Sequence, residues 1–146
     1  MLHVETVNPD TLALLKQIQS LGVLSETRLV GGTALALHLG HRRSIDLDFF
    51  GSWGETNLEP ELEAITNRGS KKDFIDVAVL LDYFSLKQLL ELYHRKYPQG
   101  LKLHVLRSLV YFEDAEETDM PLMLKPLTWE AAKERISDAV REVACK

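Results

Sequence analysis

The stretch from Gly31 to Phe50 constrains the fold more than any other part of the chain. A glycine pair opens it, a nearly all-apolar helix follows over Thr33 to Leu39, and polar and apolar residues then alternate from Ser44 to Phe50. Glycine permits a sharp turn, and alternation has the period of a strand with one buried face. Because Thr27 to Val30 reads as a short strand before the glycines, the pattern predicts strand, turn, helix and strand in that order.

Helical patterns flank this segment. Pro9 and Asp10 start a helix whose apolar positions share one face, and Gly22 is its predicted stop. Five further helices are predicted towards the C-terminus: Leu58–Asn67, Lys71–Phe84, Ser85–Tyr97, Leu103–Glu116 and Trp129–Val143, with Ser85 and Thr128 as caps. The fold class is therefore α/β (α+β): a minimal αβαβ unit with a small sheet, followed by a helical C-terminal tail. We expect a core in 1–57 and a helical region in 58–146, packed as one compact unit.

The bulk composition excludes several classes of protein. The chain has 146 residues and a net charge of −5, which argues against nonspecific coating of nucleic acid by a basic surface. Its apolar runs are too short to cross a bilayer, and no signal-peptide pattern opens it. Cys145 is the only cysteine, so no internal disulfide can form, and a cytoplasmic location is expected. Two short basic clusters are candidates for local basic rims: His41–Arg43, and Arg68 with Lys71 and Lys72. His41 is expected to be exposed to solvent, and a phosphate contact is its alternative role.

The aromatic residues of the helical tail have two interpretations. Packing between helices is the expected role of Tyr93, Tyr97, Tyr111, Phe112 and Trp129. A platform on which nucleic-acid bases stack is the alternative for the tyrosines and Phe112.

The glycine pair is suited to phosphate. Gly31 and Gly32 follow a strand and precede a helix, so a ligand can approach the backbone closely there. The helix N-terminus offers unpaired N–H groups and a partial positive charge, and Thr33 adds a hydroxyl. The alternative is a plain turn from strand to helix.

Asp46 and Asp48 indicate a metal site. Two residues apart in a strand, their carboxylates point to one side while Ile45, Leu47 and Phe49 point to the other. Neighbouring carboxylates repel each other unless a cation lies beside them, and Mg²⁺ commonly takes one or two carboxylates together with substrate phosphates. The alternative is an edge strand with a solvated acidic face.

Two blocks of the sequence resemble a known family. GGTALALHLGHRRSIDLDFF, at Gly31–Phe50, and AITNRGSKKDFIDVAVLL, at Ala64–Leu81, are similar to the motifs of the AbiEii/AbiGii-type nucleotidyltransferase toxins, bacterial proteins of the DNA polymerase β-like nucleotidyltransferase superfamily. The resemblance implies an enzyme that transfers a nucleotide from an NTP to an RNA (tRNA) or protein hydroxyl, with a cognate antitoxin as partner.

The resemblance also implies roles for individual residues. Asp46 and Asp48 would be the catalytic, Mg²⁺-binding carboxylates. The nucleotide would be bound by Gly31, Gly32, Thr33, Arg68 and Lys72, and the cleft would be lined by Asp73 and Asp76. Asp73 and Asp76 are three apart and so share a helical face. Their alternative role is structural, with Asp73 favouring the helix start electrostatically and pairing with a nearby cation.

The chain departs from its family in one place. In similar proteins a long segment separates the D-x-D strand from the RGxKKDF helix and carries further strands, a third carboxylate and a lysine. Here only Gly51–Glu63 fills that space, and Glu61 takes the lysine position. Asp82, expected in or near a helix, is a poor substitute for the third carboxylate. These features imply an internal deletion and slow or absent transfer.

Three functions follow from these observations. The chain is an Mg²⁺-dependent nucleotidyltransferase, a catalytically impaired remnant that binds nucleotide or an antitoxin, or a nonfunctional product. Missing strands would come from a partner, from Leu101–Leu106 or from Pro121–Leu124.

Overall fold

The computed structural model describes residues 1–21, 27–51, 65 and 69–145. The chain divides into two compact units: Met1–Asn57 with Pro121–Pro126, and Leu58–Met120 with Leu127–Lys146. The predicted helix Leu58–Asn67 and the predicted stop at Gly22 lie outside the described residues, apart from Ile65, which is buried. No helix in the described ranges is long and apolar enough to cross a membrane.

The first unit has the predicted order of helix, strand, helix and strand. After a 3₁₀ turn at Val4–Thr6 come α1 (Pro9–Ser20), β1 (Arg28–Val30), α2 (Gly31–Leu39) and β2 (Asp48–Phe50). The predicted α+β class, with a small sheet and a helical C-terminal part, is confirmed. Asn8, which the sequence analysis did not single out, caps α1 by accepting a hydrogen bond from the Asp10 N–H at 3.1 Å.

The two strands are antiparallel, and their register determines which side chains reach the core. Leu29 lies opposite Phe49, and Val30 lies opposite Asp48. Directly opposed residues share a face of the sheet, and successive residues alternate between faces. Leu29 and Phe49 pack on the cluster of Val7, Leu15 and Leu37, with Leu12 and Leu47 beside them. Asp48 is therefore directed away from this core and is exposed.

The predicted strand Ser44–Phe50 is too long. Regular pairing begins only at Asp48, and Ser44 forms an isolated parallel bridge with Val7. The alternation also fails at its start, since Ile45 is 75% exposed and Ser44 is 6% exposed. The reason is a pair of contacts distant in sequence: the Ser44 N–H donates to the Thr6 carbonyl at 2.9 Å, and the Ser44 hydroxyl lies 2.8 Å from Thr33 Oγ1.

A short segment from late in the chain completes the first unit. Within Pro121–Pro126, Met123 forms an antiparallel bridge with Arg42, and the Leu122 carbonyl accepts from the Arg43 N–H at 2.8 Å. Pro121–Leu124, a candidate for a missing strand, thus forms one isolated bridge and adds no strand to the sheet of β1 and β2. Leu101–Leu106, the other candidate, is mostly helical instead.

The second unit is built from helices. They are α3 (Lys71–Leu80), α4 (Leu86–Lys96), α5 (Lys102–Leu109), α6 (Glu113–Glu116) and α7 (Trp129–Ala144). The predicted caps are confirmed: the Ser85 hydroxyl accepts from the Gln88 N–H and the Thr128 hydroxyl from the Ala131 N–H, both at 3.2 Å. The single helix predicted over Leu103–Glu116 is two helices, α5 and α6.

An aromatic cluster lies in the core of the second unit. The rings of Phe74, Phe112 and Trp129 meet pairwise at centroid distances of 5.1 to 5.8 Å. The packing role predicted for Phe112 and Trp129 is confirmed. Tyr111, by contrast, is 52% exposed.

Candidate nucleotide and metal site

Gly31 and Asp48 lie against each other at the start of α2. Gly31 has φ of +71°, a left-handed conformation that side chains strongly disfavour. A Cβ at Gly31 would lie 3.1 Å from Asp48 Oδ2, closer than ordinary van der Waals contact. This closeness follows from the sheet register, because Asp48 pairs with Val30, the residue before Gly31. The glycine therefore leaves space that the carboxylate occupies.

Thr33 connects the same helical turn to Asp46. Its Oγ1 hydrogen-bonds the Asp46 carbonyl oxygen and lies 2.8 Å from the Ser44 hydroxyl oxygen. A hydroxyl carries one proton, so Thr33 donates to the carbonyl while Ser44 donates to Thr33. Thr33 is only 1% exposed. Its side chain positions the segment that carries the aspartates, and the phosphate contact predicted for Thr33 stays a prediction.

The first turn of α2 thus brings the two predicted motifs together. Asp46 is attached to it through its backbone and Asp48 through its side chain, and both residues are exposed. Val30, at the N-cap, has no side chain that can satisfy the N–H groups of this turn. The arrangement presents carboxylate oxygens beside the positive end of a helix dipole.

Among the described residues, the acidic groups of this site are the carboxylates of Asp46 and Asp48. No group of three or more His, Cys, Asp or Glu side chains is arranged to hold a metal ion in the part of the chain that the structure describes. Asp82, considered as a poor substitute for the third carboxylate, follows α3 and forms an ion pair with Arg135 at 2.8 Å. Its role is structural, within the second unit.

The basic cluster His41–Arg43 does not form the predicted rim. His41 is fully buried and Arg42 is 3% exposed, so the expected solvent exposure of His41 is wrong. The cause is Pro121–Pro126: the His41 carbonyl accepts from the N–H groups of Leu124 and Lys125 at 2.9 and 3.1 Å. Only Arg43 of this cluster is exposed.

The second predicted motif lies in the other unit, at the start of α3. Lys72 is exposed, Asp73 is half-buried and Asp76 is 1% exposed. Asp73 Oδ2 accepts from the N–H and the hydroxyl of Ser70 at 2.8 and 2.7 Å, which stabilises the helix start. This is the structural alternative considered for Asp73. Arg68 lies outside the described residues, and the nucleotide-binding and cleft-lining roles in this motif stay predictions.

Comparison with known proteins agrees with the motifs. Residues 14–71, which include the glycine pair, both aspartates and the start of α3, match the family described as "Nucleotidyl transferase AbiEii toxin, Type IV TA system". The match covers 58 of the 146 residues, and the description of the family names nucleotidyl transfer and a toxin–antitoxin system.

The chain is also similar to an uncharacterized protein of Aquifex aeolicus (strain VF5). It is 28% identical over 194 positions, which cover 88% of this chain and 93% of the relative. Since 194 positions exceed the 146 residues of the chain by 48, the relative carries at least 48 residues that have no counterpart in this chain. No solved structure matches the chain.

One part of the site was not found by sequence reasoning. Ser44 was placed on the same strand face as the aspartates, yet it is buried against Thr33. Pro121–Pro126 contacts the opposite, C-terminal end of α2, where Lys125 Nζ donates to the Leu39 carbonyl at 2.5 Å. No periodic pattern in the sequence predicts that Ser44 is buried. Pro121–Pro126, by contrast, is bounded by two prolines, which indicate a non-helical segment between them.

Proposed function

We propose that this chain binds an NTP with Mg²⁺ at the first turn of α2 and, in its active form, transfers the nucleotidyl group to a hydroxyl of RNA or protein. The observation that carries the proposal is the Asp48 carboxylate against Gly31, at the N-terminus of a helix. The match of residues 14–71 to the AbiEii family supports the same reaction class. A cognate antitoxin and a cytoplasmic location belong to the proposal as well.

The residues present fit a magnesium ion. Asp46 and Asp48 supply hard oxygen donors, and both are accessible to solvent and substrate. The missing Cβ of Gly31 leaves the Asp48 carboxylate beside the helix terminus, where phosphate oxygens would complete a coordination shell. When bound, Mg²⁺ would neutralise charge on the triphosphate and on the departing pyrophosphate.

The chain's own residues then perform the positioning. The N–H groups of the first turn of α2 would bind phosphate oxygens, and the Thr33 hydroxyl would hold the Asp46 segment at a fixed distance from that turn. In the transfer, the acceptor hydroxyl oxygen forms a bond to the α-phosphorus and releases its proton to solvent, the bond between the α-phosphorus and the bridging oxygen breaks, and pyrophosphate leaves. Lys72, exposed at the start of α3, and Arg68 are proposed as further phosphate contacts.

The second candidate is a catalytically impaired protein that retains nucleotide or antitoxin binding. Two observations favour it. The relative from Aquifex aeolicus carries at least 48 aligned residues that have no counterpart here. The described residues also hold no three-carboxylate group, and a third carboxylate is the usual aid in activating the attacking hydroxyl.

Thermal shift with NTPs, with and without Mg²⁺, tests the binding step. A ligand at about 100 times its Kd stabilises the folded chain by about 2.7 kcal/mol, which is a shift of several degrees. We expect this shift to require Mg²⁺ and to disappear in Asp46→Ala and Asp48→Ala. Asp119→Ala, which removes another exposed aspartate, is the matched control and should keep it. A wild-type chain that no NTP stabilises would refute nucleotide binding.

Transfer of label from an α-labelled NTP then separates the two candidates. If label is incorporated into RNA or protein only with Mg²⁺, and if both aspartate variants lose this incorporation, the result supports the proposal that the chain is a nucleotidyltransferase. A protein that binds NTP with Mg²⁺ but incorporates no label is the impaired form. Copurification of the chain with a candidate antitoxin would then test whether the two proteins bind each other.

A further inference from the structure

The second unit contains a cavity of about 350 Å³, and most of its lining residues lie outside the nucleotidyltransferase motifs. One wall is formed by His104, Arg107, Ser108 and Tyr111. They recur at the i, i+3, i+4 and i+7 spacing of one helical face. His104, Arg107 and Ser108 belong to α5, and Tyr111 lies just after it.

The wall is anchored from behind. Val105 and Leu109, on the neighbouring face of α5, are 1% and 0% exposed, so the helix is fixed in rotation by its core contacts. His104 and Arg107 are exposed, and Ser108 is half-buried. The cavity therefore presents a guanidinium, an imidazole and a hydroxyl from a rigid helix, which is a donor set that suits phosphate.

The floor of the cavity is apolar and closely packed. Ile65 and Gly69 form it, and both are buried. A Cβ at Gly69 would lie 3.0 Å from both the Ile65 Cα and a ring carbon of Phe74. The backbone at Gly69 thus lies directly on the core, and this side of the cavity is closed by buried residues.

Tyr111 supplies a preoriented aromatic ring at the cavity edge. Its hydroxyl donates to Glu113 Oε2 at 2.8 Å, while the residue stays 52% exposed. A ring held in this way loses little conformational entropy when a flat ligand stacks on it. Asp114, which also lines the cavity, adds an acceptor for hydroxyl or amino groups.

We propose that this cavity is a nucleotide-binding site separate from the glycine and aspartate motifs of the first unit. Arg107, His104 and Ser108 would bind the phosphate, a base would stack on Tyr111, and Asp114 would accept from the ribose hydroxyls. The volume is at the small end of ligand pockets and suits one nucleotide. A phosphate ion alone would leave the ring and the apolar floor unused, and an extended peptide would exceed the space.

Calorimetric titration of the full chain with 5′-AMP, in EDTA so that Mg²⁺-dependent binding is absent, tests the proposal. Adenosine, ribose 5-phosphate and inorganic phosphate are the probes that lack one part of the ligand. We expect AMP to bind more tightly than each of them. Arg107→Gln should weaken AMP binding roughly ten- to a hundredfold, as expected for a charge-assisted phosphate contact. Tyr111→Ala should weaken it roughly five- to a hundredfold, and Tyr111→Phe should retain most of it.

Two control variants make the result specific. Arg95→Gln removes an exposed arginine from the last turn of α4, as Arg107→Gln does from α5, and should leave AMP affinity unchanged. Asp46→Ala should also leave it unchanged while abolishing the Mg²⁺-dependent NTP shift, so the two sites fail independently. Loss of AMP binding in Asp46→Ala with retention in Arg107→Gln would refute the proposal. So would equal affinity for AMP and inorganic phosphate, or no AMP binding.

A 5′-phosphorylated RNA trinucleotide distinguishes the two sources of the ligand. If it binds more tightly than AMP and requires Arg107, the occupant is a nucleotide of a single-stranded RNA. If AMP binds as tightly, the occupant is a free nucleotide. Either result, with the variants above, supports the site.

Discussion

Replacing Gly31 by alanine tests the geometry of the candidate site where the backbone leaves least room. Two effects oppose each other. The left-handed conformation at φ of +71° costs alanine about 1–2 kcal/mol, while alanine reduces the entropy of the unfolded chain and returns about 0.4–1 kcal/mol. The net loss is about 1 kcal/mol, before any contact with Asp48 is counted. For a chain of this size that lowers Tm by roughly 3–5 °C.

The contact with Asp48 adds a functional consequence. The new Cβ would lie 3.1 Å from Asp48 Oδ2, so the carboxylate must move by a few tenths of an ångström or more. We expect Gly31→Ala to lose the Mg²⁺-dependent NTP shift at temperatures where the variant is still folded. Gly32→Ala is the matched control, because positive φ among the described glycines is found at Gly31 and Gly40. It should keep wild-type Tm or exceed it.

Thermal melts with and without NTP and Mg²⁺ measure both effects, and a double mutant separates them. In an Asp48→Ala background the carboxylate is gone, so Gly31→Ala should cost only the free energy of placing alanine in the left-handed backbone conformation. A smaller Tm loss there than in the wild-type background measures the contact. Equal Tm values for Gly31→Ala and Gly32→Ala, with an intact NTP shift in both, would refute the reasoning.

Two further perturbations test other contacts. Thr33→Val removes the donor to the part-buried Asp46 carbonyl and should cost about 1–3 kcal/mol of unfolding free energy, while Thr33→Ser should cost less; equal denaturant midpoints for the two would contradict the role of the hydroxyl. Glu116 accepts hydrogen bonds from Lys133 and Trp129, which hold the pKa of Glu116 below its ordinary 4.5. Because the folded state lowers the pKa of Glu116, the charged carboxylate stabilises the fold at pH values above the ordinary pKa, and this stabilisation is lost as the pH falls through the lowered pKa. Glu116→Gln should therefore lower Tm at neutral pH and match wild type in strong acid. A constant Tm difference at all pH values would show that the charge is not responsible.

Some boundaries of the helices are determined by local sequence and others by tertiary contacts. Ser85 and Thr128 cap their helices as predicted, because a cap depends on a hydroxyl and an N–H only three residues apart. The helix predicted across Leu103–Glu116 breaks after Leu109. There Phe112 packs against Phe74 and Trp129, and this tertiary contact overrides a continuous helical pattern.

The candidate site divides in the same way. The sequence indicated Gly31, Asp46 and Asp48 by residue type and spacing, and the structure places Asp46 and Asp48 at the helical turn that Gly31 begins. Exposure was less predictable. Ser44 and Ile45 have the reverse of the expected burial, because a hydrogen bond from Ser44 to Thr6 outweighs the strand alternation.

By itself, the sequence determined the order of the elements in the first unit, the α+β class and the choice of Gly31, Asp46 and Asp48 as candidates for phosphate and metal binding, because glycine conformation, helix capping and carboxylate chemistry act over a few residues. The tertiary structure decided which of those groups face solvent. It buried His41 and Arg42 under Pro121–Pro126, committed Thr33 to Asp46, and left Asp48 against Gly31. These outcomes depend on hydrogen bonds between residues 13 to more than 80 positions apart, which no local pattern encodes.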